Sequence, residues 1–132
     1  MIRYLVDTDV TVDHIRGRRY LPSEIMQRGT AISIISIAEL LYGAYKSSNP
    51  KKNLQNIDDL LKLGVEVKNL TVEIVDYYAK LKQNLEKAGQ RLDEFDLLIG
   101  ATAKVNTLTL VTRNLKHFQR IKGLKLYAGL LN

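Results

Sequence analysis

The stretch that decides the fold is Ile2-Arg3-Tyr4-Leu5-Val6-Asp7, an apolar run that stops at a carboxylate. Its β-branched, aromatic and aliphatic side chains predict a buried strand over residues 3–6, with a short helix or turn over residues 9–16 after it. A carboxylate cut into an apolar run is costly unless something pairs with it. Asp7 is therefore both the predicted end of the first strand and the first candidate for a functional group.

Apolar runs and segments of helical periodicity alternate along the rest of the chain. The patterns predict strands at residues 31–35, 65–67, 108–111 and 124–126, and helices at 23–28, 36–46, 54–63, 71–88 and 93–105. Most of the strand runs are apolar on both faces, which is typical of a parallel sheet covered by helices on both sides. We therefore expect an α/β fold in which residues 1–132 form a single domain.

Composition restricts the class of protein. The chain has 132 residues, of which 45% are hydrophobic, and this is enough to bury a core. It has no cysteine, so disulfides and thiolate metal sites are excluded. No apolar stretch reaches the roughly 18 residues of a membrane span, and Asp7, Asp9 and Asp13 interrupt any signal-peptide pattern. These features predict a soluble cytoplasmic protein with no membrane association.

The net charge of +6 lies entirely in the last quarter of the chain. Residues 97–132 hold six of the 20 basic residues and none of the 14 acidic ones, so residues 1–96 carry no net charge. Such an asymmetry favours a polyanionic partner, with nucleic acid first, although a solvated basic face explains it equally well.

Two more acids stand at element boundaries as Asp7 does. Glu39 follows the apolar run 32–38, and Asp96 opens the run 96–101. Ligands of parallel α/β folds collect at the carboxyl ends of strands, so these acids can converge although they are distant in sequence. The simplest shared partner is a divalent cation, because hard cations take carboxylate oxygens. Bound Mg²⁺ or Mn²⁺ activates water and stabilises a leaving oxygen, which in a basic chain indicates phosphodiester chemistry.

Helix capping is the simpler explanation of each acid taken alone. Residues 36–39 match a capping box with Ser36 as N-cap and Glu39 at the third helical position, and Asp93 precedes Asp96 in the same way. Asp7 alone could simply turn the chain. The conjunction of three acids at three boundaries favours the metal interpretation.

Two polar residues, Thr112 and Asn114, follow the fourth predicted strand. The simpler interpretation is that these residues form an ordinary turn, since Asn is common in turns. In the functional interpretation, their hydroxyl and amide groups reach the waters of the metal or the scissile phosphate. The chain has two histidines, His14 and His117, and neither is given a role.

Four segments together resemble the successive motifs of PIN-domain ribonucleases, in particular the VapC toxins of prokaryotic toxin–antitoxin modules. They are Tyr4-Leu5-Val6-Asp7-Thr8-Asp9-Val10, Ile35-Ser36-Ile37-Ala38-Glu39-Leu40-Leu41-Tyr42-Gly43, Asp96-Leu97-Leu98-Ile99-Gly100-Ala101 and Leu110-Val111-Thr112-Arg113-Asn114-Leu115-Lys116-His117-Phe118. The resemblance implies a three-layer α/β/α sandwich around a central parallel sheet. It also implies Mg²⁺- or Mn²⁺-dependent RNA endonuclease activity on structured tRNA or rRNA, a homodimer and inhibition by a VapB-type antitoxin.

The same resemblance assigns roles to individual residues. Asp7, Glu39 and Asp96 become the metal-binding carboxylates, Asn114 takes the fourth site and Thr112 supports it. Independently of the resemblance, basic residues within 104–125 are expected to bind the phosphates of the RNA substrate, with Arg113, Lys116 and Arg120 first among them. Arg16, Arg18 and Arg19 are further candidates for the same contact. The exposed surface around Tyr42, Tyr45 and residues 54–63 is a candidate docking face for the antitoxin, with core packing as the alternative for the leucines.

Two positions depart from the family pattern. Asp9 stands where the family usually has Asn, and it adds a charge to the predicted pocket. Gly100 replaces a common Ala, and we expect no consequence from it.

Two rival functions remain open on the sequence. Asp7-Thr8-Asp9-Val10-Thr11 also fits the first motif of a haloacid-dehalogenase-like phosphatase, with Asp7 as nucleophile and Asp9 as general acid/base. That family needs a later acidic pair, and no acid follows Asp96. The second rival is a PIN-like module that binds RNA without cutting it, which metal-dependent cleavage would exclude.

Overall fold

A computed structural model describes residues 1–130 of the chain. Helices and strands alternate along it, as the sequence predicts. In chain order the elements are β1 (Tyr4–Val6), α1 (Thr8–Ile15), α2 (Ser23–Gln27), β2 (Thr30–Ser33), α3 (Ile34–Lys46), α4 (Pro50–Lys62), β3 (Glu66–Lys68), α5 (Val72–Lys87), α6 (Glu94–Val105), β4 (Thr109–Val111) and α7 (Leu115–Phe118).

The strands form one parallel sheet in the order β3-β2-β1-β4. β1 lies between β2 and β4, so the strand order reverses at β1, and the backbone N–H of Asp7 extends the β1–β4 pairing by donating to the carbonyl of Val111 at 2.9 Å. In parallel α/β sheets the crevice at such a reversal is where ligands bind. Asp7 and Thr112 follow the two adjacent strands at this point.

The sheet is covered on both faces, which confirms the predicted architecture. Neighbouring strand residues point to opposite faces, and both members of the pairs Leu5–Val6 and Leu110–Val111 are buried. Leu5 and Leu110 pack with residues of α5 and α6, while Val6 and Val111 pack with residues of α1 and α2. The result is a three-layer α/β/α sandwich. Within the described residues, no helix combines the length and apolar character that a bilayer crossing requires.

The predicted boundary between the second strand and its helix is wrong. β2 ends at Ser33, whose hydroxyl caps α3 by accepting from the N–H of Ile35 at 3.0 Å. Ile34 and Ile35 are β-branched and favour a strand by propensity, but a capping hydroxyl just before them starts the helix earlier. Ser36 is therefore not the N-cap, and Glu39 lies in the second helical turn, too far along the helix for a capping box.

Other predicted elements at the C-terminal end need correction as well. Residues 124–126 do not form a strand, and only Leu126 makes a single parallel bridge, to Leu110. The short helix α7 was not predicted, because four residues are too few to show a helical period. At Gly100 an added Cβ would lie 2.5 Å from the Cδ1 of buried Ile121, so the end of that side chain would have to shift to admit an alanine.

Candidate active site

Asp7 lies at the carboxyl end of β1, where it is 6% exposed and also caps α1. Its Oδ1 accepts from the backbone N–H of Thr8 at 2.8 Å, and its Oδ2 accepts from the hydroxyl of Thr112 at 2.8 Å. Burial raises the pKa of this carboxyl most, the two hydrogen bonds oppose that shift, and nearby Asp9 adds to it. Each oxygen is thus held by a donor, which fixes the carboxylate in one orientation.

Thr112 connects β4 to Asp7. Its side chain is fully buried, and its hydroxyl both donates to Asp7 and accepts from the backbone N–H of Asn114 at 3.0 Å. The single hydrogen of the hydroxyl goes to Asp7, so Thr112 positions that carboxylate. Asn114 is exposed at the start of α7, and its side chain forms no capping hydrogen bond there. Its side-chain amide lies on the same edge of the sheet as Asp7 and does not cap α7.

Glu39 is held by a pair of hydroxyl groups that the sequence prediction missed. The Thr8 hydroxyl donates to Oε1 of Glu39 at 2.6 Å and lies 2.8 Å from the hydroxyl of Ser36, which is fully buried. A hydroxyl carries one hydrogen, so when Thr8 donates to the carboxylate, Ser36 supplies the hydrogen between the two hydroxyls. Thr8 and Ser36 are therefore positioning residues for Glu39. Their only signal in the sequence was a hydroxyl residue next to Asp7 and another one turn before Glu39.

Asp96 is half-buried in the first turn of α6, which Asp93 caps by accepting from the N–H of Phe95 as predicted. Burial, followed by the charges of Asp7, Asp93, Glu39 and Asp9, raises the pKa of Asp96 to about 6. Burial also raises the pKa of Glu39, the Thr8 hydrogen bond opposes it, and Asp7, Asp9 and Asp93 add to it. The structure thus brings the acids of three elements into one electrostatic field.

The chemistry of these side chains suits a hard divalent cation, since the donors are carboxylate, hydroxyl and amide oxygens. An excess of mutually repelling carboxylates is also what a cation would neutralise. Among residues 1–130, however, no three His, Cys, Asp or Glu side chains lie close enough to hold a metal ion between them. Mg²⁺ usually keeps several waters and binds through one or two carboxylates. It therefore does not need a site enclosed by protein ligands, and the spacing of these acids suits it.

The basic residues predicted to bind substrate differ in availability. Nε of Arg113 is buried 3.4 Å from Oδ2 of Asp13 in α1, without hydrogen-bond geometry. Arg120 donates from Nη1 to the carbonyl of Arg91 at 2.7 Å. Lys116 is exposed on α7. Lys116 is thus the most accessible of the predicted set, while Arg113 and Arg120 have partners within the chain.

The fold and the acids at its strand-order reversal define this chain as a PIN-type α/β domain. The model of the PIN domain family matches residues 4–124, and the chain belongs to that family. Within the family it belongs with the VapC ribonucleases. It is 32% identical over 131 residues to Ribonuclease VapC2 of Haemophilus influenzae, covering 95% of this chain and 96% of that protein.

Two further relatives agree with this placement. The tRNA(fMet)-specific endonuclease VapC of Shigella flexneri is 26% identical, and the match covers 95% of this chain and 96% of that one. The crystal structure of VapBC2 from Rickettsia felis bound to a DNA fragment from their promoter superposes with a TM-score of 0.84 at 32% identity, over 96% of this chain and 98% of that one. These matches favour the PIN interpretation over the haloacid-dehalogenase-like alternative.

The contact between Thr112 and Asp7 predicts a graded loss of activity. We expect Thr112→Val to lower RNA cleavage about 10- to 100-fold, the usual effect of losing a residue that orients a metal ligand. The pH profile should also move upward, because the hydroxyl lowers the pKa of Asp7. Single-turnover rates from pH 5 to 8 measure both effects. Thr112→Ser keeps the hydroxyl and is the matched control; equal losses in both variants would contradict the role.

Proposed function

We propose that this chain is a metal-dependent RNA endonuclease and the toxin of a type II toxin–antitoxin pair. The observation that carries the proposal is the electrostatic coupling of Asp7, Glu39 and Asp96 at the carboxyl edge of the sheet. Membership of the PIN family and the names of its VapC relatives support ribonuclease activity. We further infer that residues 1–132 act as one domain in the cytoplasm.

Each residue of the proposed centre has a separate task. Asp7, Glu39 and Asp96 would hold Mg²⁺ or Mn²⁺ partly through the waters that such an ion keeps, because the three side chains do not converge closely enough to enclose it. Asn114 would lie beside them. When bound, such an ion supplies a more basic water and stabilises the leaving oxygen of a phosphodiester. Asp7 is oriented by Thr112, and Oε1 of Glu39 is oriented by Thr8, which leaves its Oε2 free of that contact. Ligating carboxylates must be ionised, so activity should fall below pH about 6, near the raised pKa of Asp96.

RNA is the substrate that the charge distribution favours. The last 36 residues carry six basic side chains and no acidic one, and Lys116 is exposed close to Asn114. The similarity to a tRNA(fMet)-specific endonuclease supports structured tRNA as the target class, with rRNA as the other. We infer that Lys116 binds substrate phosphate, with weaker contributions from Arg113 and Arg120.

Mapping the ends of the products tests the proposed reaction. Purified chain, free of antitoxin, is incubated with total cellular RNA in Mg²⁺, Mn²⁺ or EDTA. We expect discrete fragments only with metal, bearing 5′-phosphate and 3′-hydroxyl ends. Fragments ending in 2′,3′-cyclic phosphate would defeat attack by a metal-bound water, because they require attack by the 2′-hydroxyl. RNA binding without any cleavage would favour the binding-only module.

A groove next to the site supports the proposed antitoxin partner. α1, α3 and α4 line it with mostly apolar residues, and Glu39 and Arg16 also contribute to it. The apolar lining comprises Val12, Ile15, Leu40, Gly43, Ala44 and Ile57. We propose that a VapB-type antitoxin lays an apolar segment in this groove and so blocks access to Glu39. The similarity to the VapBC2 complex supports such a partner.

Gly43 allows the groove to be filled without disturbing the core. A Cβ added at Gly43 meets nothing within 4 Å, and a larger residue also suits the helix better than glycine. We expect Gly43→Leu to cleave RNA like wild type but to require at least about 10-fold more antitoxin for inhibition, the cost of about 1.4 kcal/mol in binding. Gly43→Ala is the control, and unchanged inhibition of Gly43→Leu would place the antitoxin elsewhere.

A homodimer is the remaining part of the proposal. α3 exposes an apolar face that its own chain does not cover, comprising Ile34, Leu41, Tyr42 and Tyr45. The leucine and isoleucine side chains of residues 54–63 are divided, since Ile57 and Leu60 are buried and Leu63 is exposed. The core interpretation therefore holds for Leu60, and for Leu54 and Leu61, which are partly buried against the core. The exposed face of α3 was the predicted antitoxin surface; with the antitoxin assigned to the groove, we propose this face as the dimer contact.

A further inference from the structure

The loop between α1 and α2 has an unusual composition. Residues 16–20 read Arg16-Gly17-Arg18-Arg19-Tyr20, with three cations, one aromatic and no acid. All five are exposed, and Tyr20 is 71% exposed despite its size. This basic cluster lies in residues 1–96, whose charges sum to zero, so it is separate from the net positive charge of the C-terminal quarter.

The loop is held in a defined conformation by the end of α1. The N–H groups of Gly17 and Arg18 donate to the carbonyls of His14 and Asp13, at 3.2 and 2.9 Å. Nδ1 of His14 accepts from the backbone N–H of Leu21 at 3.0 Å. Burial lowers the pKa of His14, which keeps the ring neutral and able to accept this bond. These contacts bracket the loop from both ends.

Tyr20 is pre-positioned within the loop. Its ring meets His14 edge to face, with centroids 5.5 Å apart and planes at 86°. Gly17 has a positive φ of 70°, and a Cβ at that position would lie 3.0 Å from the Tyr20 hydroxyl. The absence of a side chain at Gly17 therefore makes room for the tyrosine. A T-shaped contact covers at most one face of the ring, and an exposed aromatic face is a stacking surface for a nucleic acid base.

The arginines of the loop differ in what they contact. Arg18 is 3.8 Å from Asp13, the carboxylate that also approaches Arg113. Within residues 1–130, no ion pair or side-chain hydrogen bond engages Arg16 or Arg19. Arg16 lines the same groove as Glu39, so the loop stands beside the candidate active site. Arg16 and Arg19 are therefore available to bind the phosphates of a polyanion.

We propose that residues 16–20 form a substrate subsite in which Tyr20 stacks on an RNA base and Arg16 and Arg19 bind the flanking phosphates. The inference rests on the proposed ribonuclease function and adds a second RNA contact to the one proposed for Lys116. An aromatic surface between cations recognises a single-stranded nucleotide, because both faces of a base inside a duplex are already stacked on its neighbours. The subsite therefore selects unpaired nucleotides beside the scissile bond.

A fluorescent base tests the subsite directly. The chain has no tryptophan, so the emission of 2-aminopurine in a single-stranded RNA oligonucleotide can be followed in EDTA without cleavage. Wild type should quench the base on binding. Tyr20→Ala should weaken binding roughly 5- to 150-fold and abolish quenching at saturation, whereas Tyr20→Phe keeps both. The double variant Arg16→Ala, Arg19→Ala should bind with a weaker salt dependence: the slope of log affinity against log salt concentration should become shallower by about 1.4. It should still quench the base at saturation.

Matched outcomes separate this subsite from the proposed function. Val72→Ala removes an exposed apolar side chain, 83% exposed at the start of α5, and should bind and quench like wild type. Wild-type cleavage of RNA together with unchanged binding by Tyr20→Ala would overturn the subsite and leave the ribonuclease intact. Wild type that neither binds nor cleaves RNA overturns both. Loop variants that lose antitoxin inhibition but bind RNA normally would assign the loop to a protein partner and overturn the proposal.

Discussion

Asp7→Asn should abolish RNA cleavage, with a loss of more than about 100-fold, because loss of even an outer partner of a metal ligand costs 10- to 100-fold. Both Asp7 oxygens accept hydrogen bonds, from Thr8 N–H and from the Thr112 hydroxyl. An asparagine has one oxygen and one NH₂ group, so it can keep only one of these bonds as an acceptor. The variant loses both a charge and the fixed orientation.

The measurement is the initial rate of RNA cleavage in Mg²⁺ at pH 7.5, beside the far-ultraviolet circular dichroism of each protein. Asp76→Asn is the control, since Asp76 is an exposed acid on α5 whose partner is Lys80. It should cleave like wild type. A folded Asp7→Asn protein with more than about a tenth of wild-type activity would remove Asp7 from the reaction.

Asp96→Asn should separate stability from activity. The pKa of Asp96 is raised to about 6 in the folded chain, so the folded state holds the proton more tightly than the unfolded state. The free energy of unfolding of wild type therefore decreases as pH rises from about 4 to about 6, and stays lower above that range. Asparagine has no proton to lose. The variant should be more stable than wild type at pH 7 by about 1 kcal/mol, after allowance for solvent screening.

Urea unfolding in EDTA at pH 4, 5, 6 and 7 measures this difference. The advantage of Asp96→Asn should grow up to pH about 6 and then stay constant, while its cleavage of RNA is lost. Added Mg²⁺ should stabilise wild type but not the variant, because only the binding-competent protein gains from the ligand. A variant that is less stable than wild type at pH 7 in EDTA would contradict the electrostatic account of the site.

Much of the fold followed from short-range patterns. Consecutive apolar residues, such as Leu5 and Val6, place apolar side chains on both faces of a strand. A parallel sheet covered on both sides was therefore predictable, and with it the edge of the sheet where Asp7 lies. The start of α3 was not, because the β-branched pair Ile34–Ile35 favours a strand while the Ser33 cap favours a helix. Local signals conflict there, and the capping hydroxyl decides the boundary.

The candidate site was predictable in its acids but not in its supporting contacts. Acids in apolar runs stand out because burying charge is costly, which is why Asp7, Glu39 and Asp96 were found. Thr8 and Ser36 carry no comparable signal, since hydroxyl residues are common at helix starts. Their role depends on a side-chain contact across 31 residues, from Thr8 to Glu39. Likewise, the proximity of Arg113 to Asp13 could not be read from charge alone.

Direct measurement of Mn²⁺ binding tests most directly whether the three acids form one metal centre. Electron paramagnetic resonance of free Mn²⁺ gives its affinity for the antitoxin-free chain at pH 7.5. The account predicts saturable binding by wild type and by Asp76→Asn, weakened by more than about 10-fold in Asp7→Asn, Glu39→Gln and Asp96→Asn alike. Binding that is undetectable in wild type, or equal in all five proteins, would show that these acids do not form a metal centre.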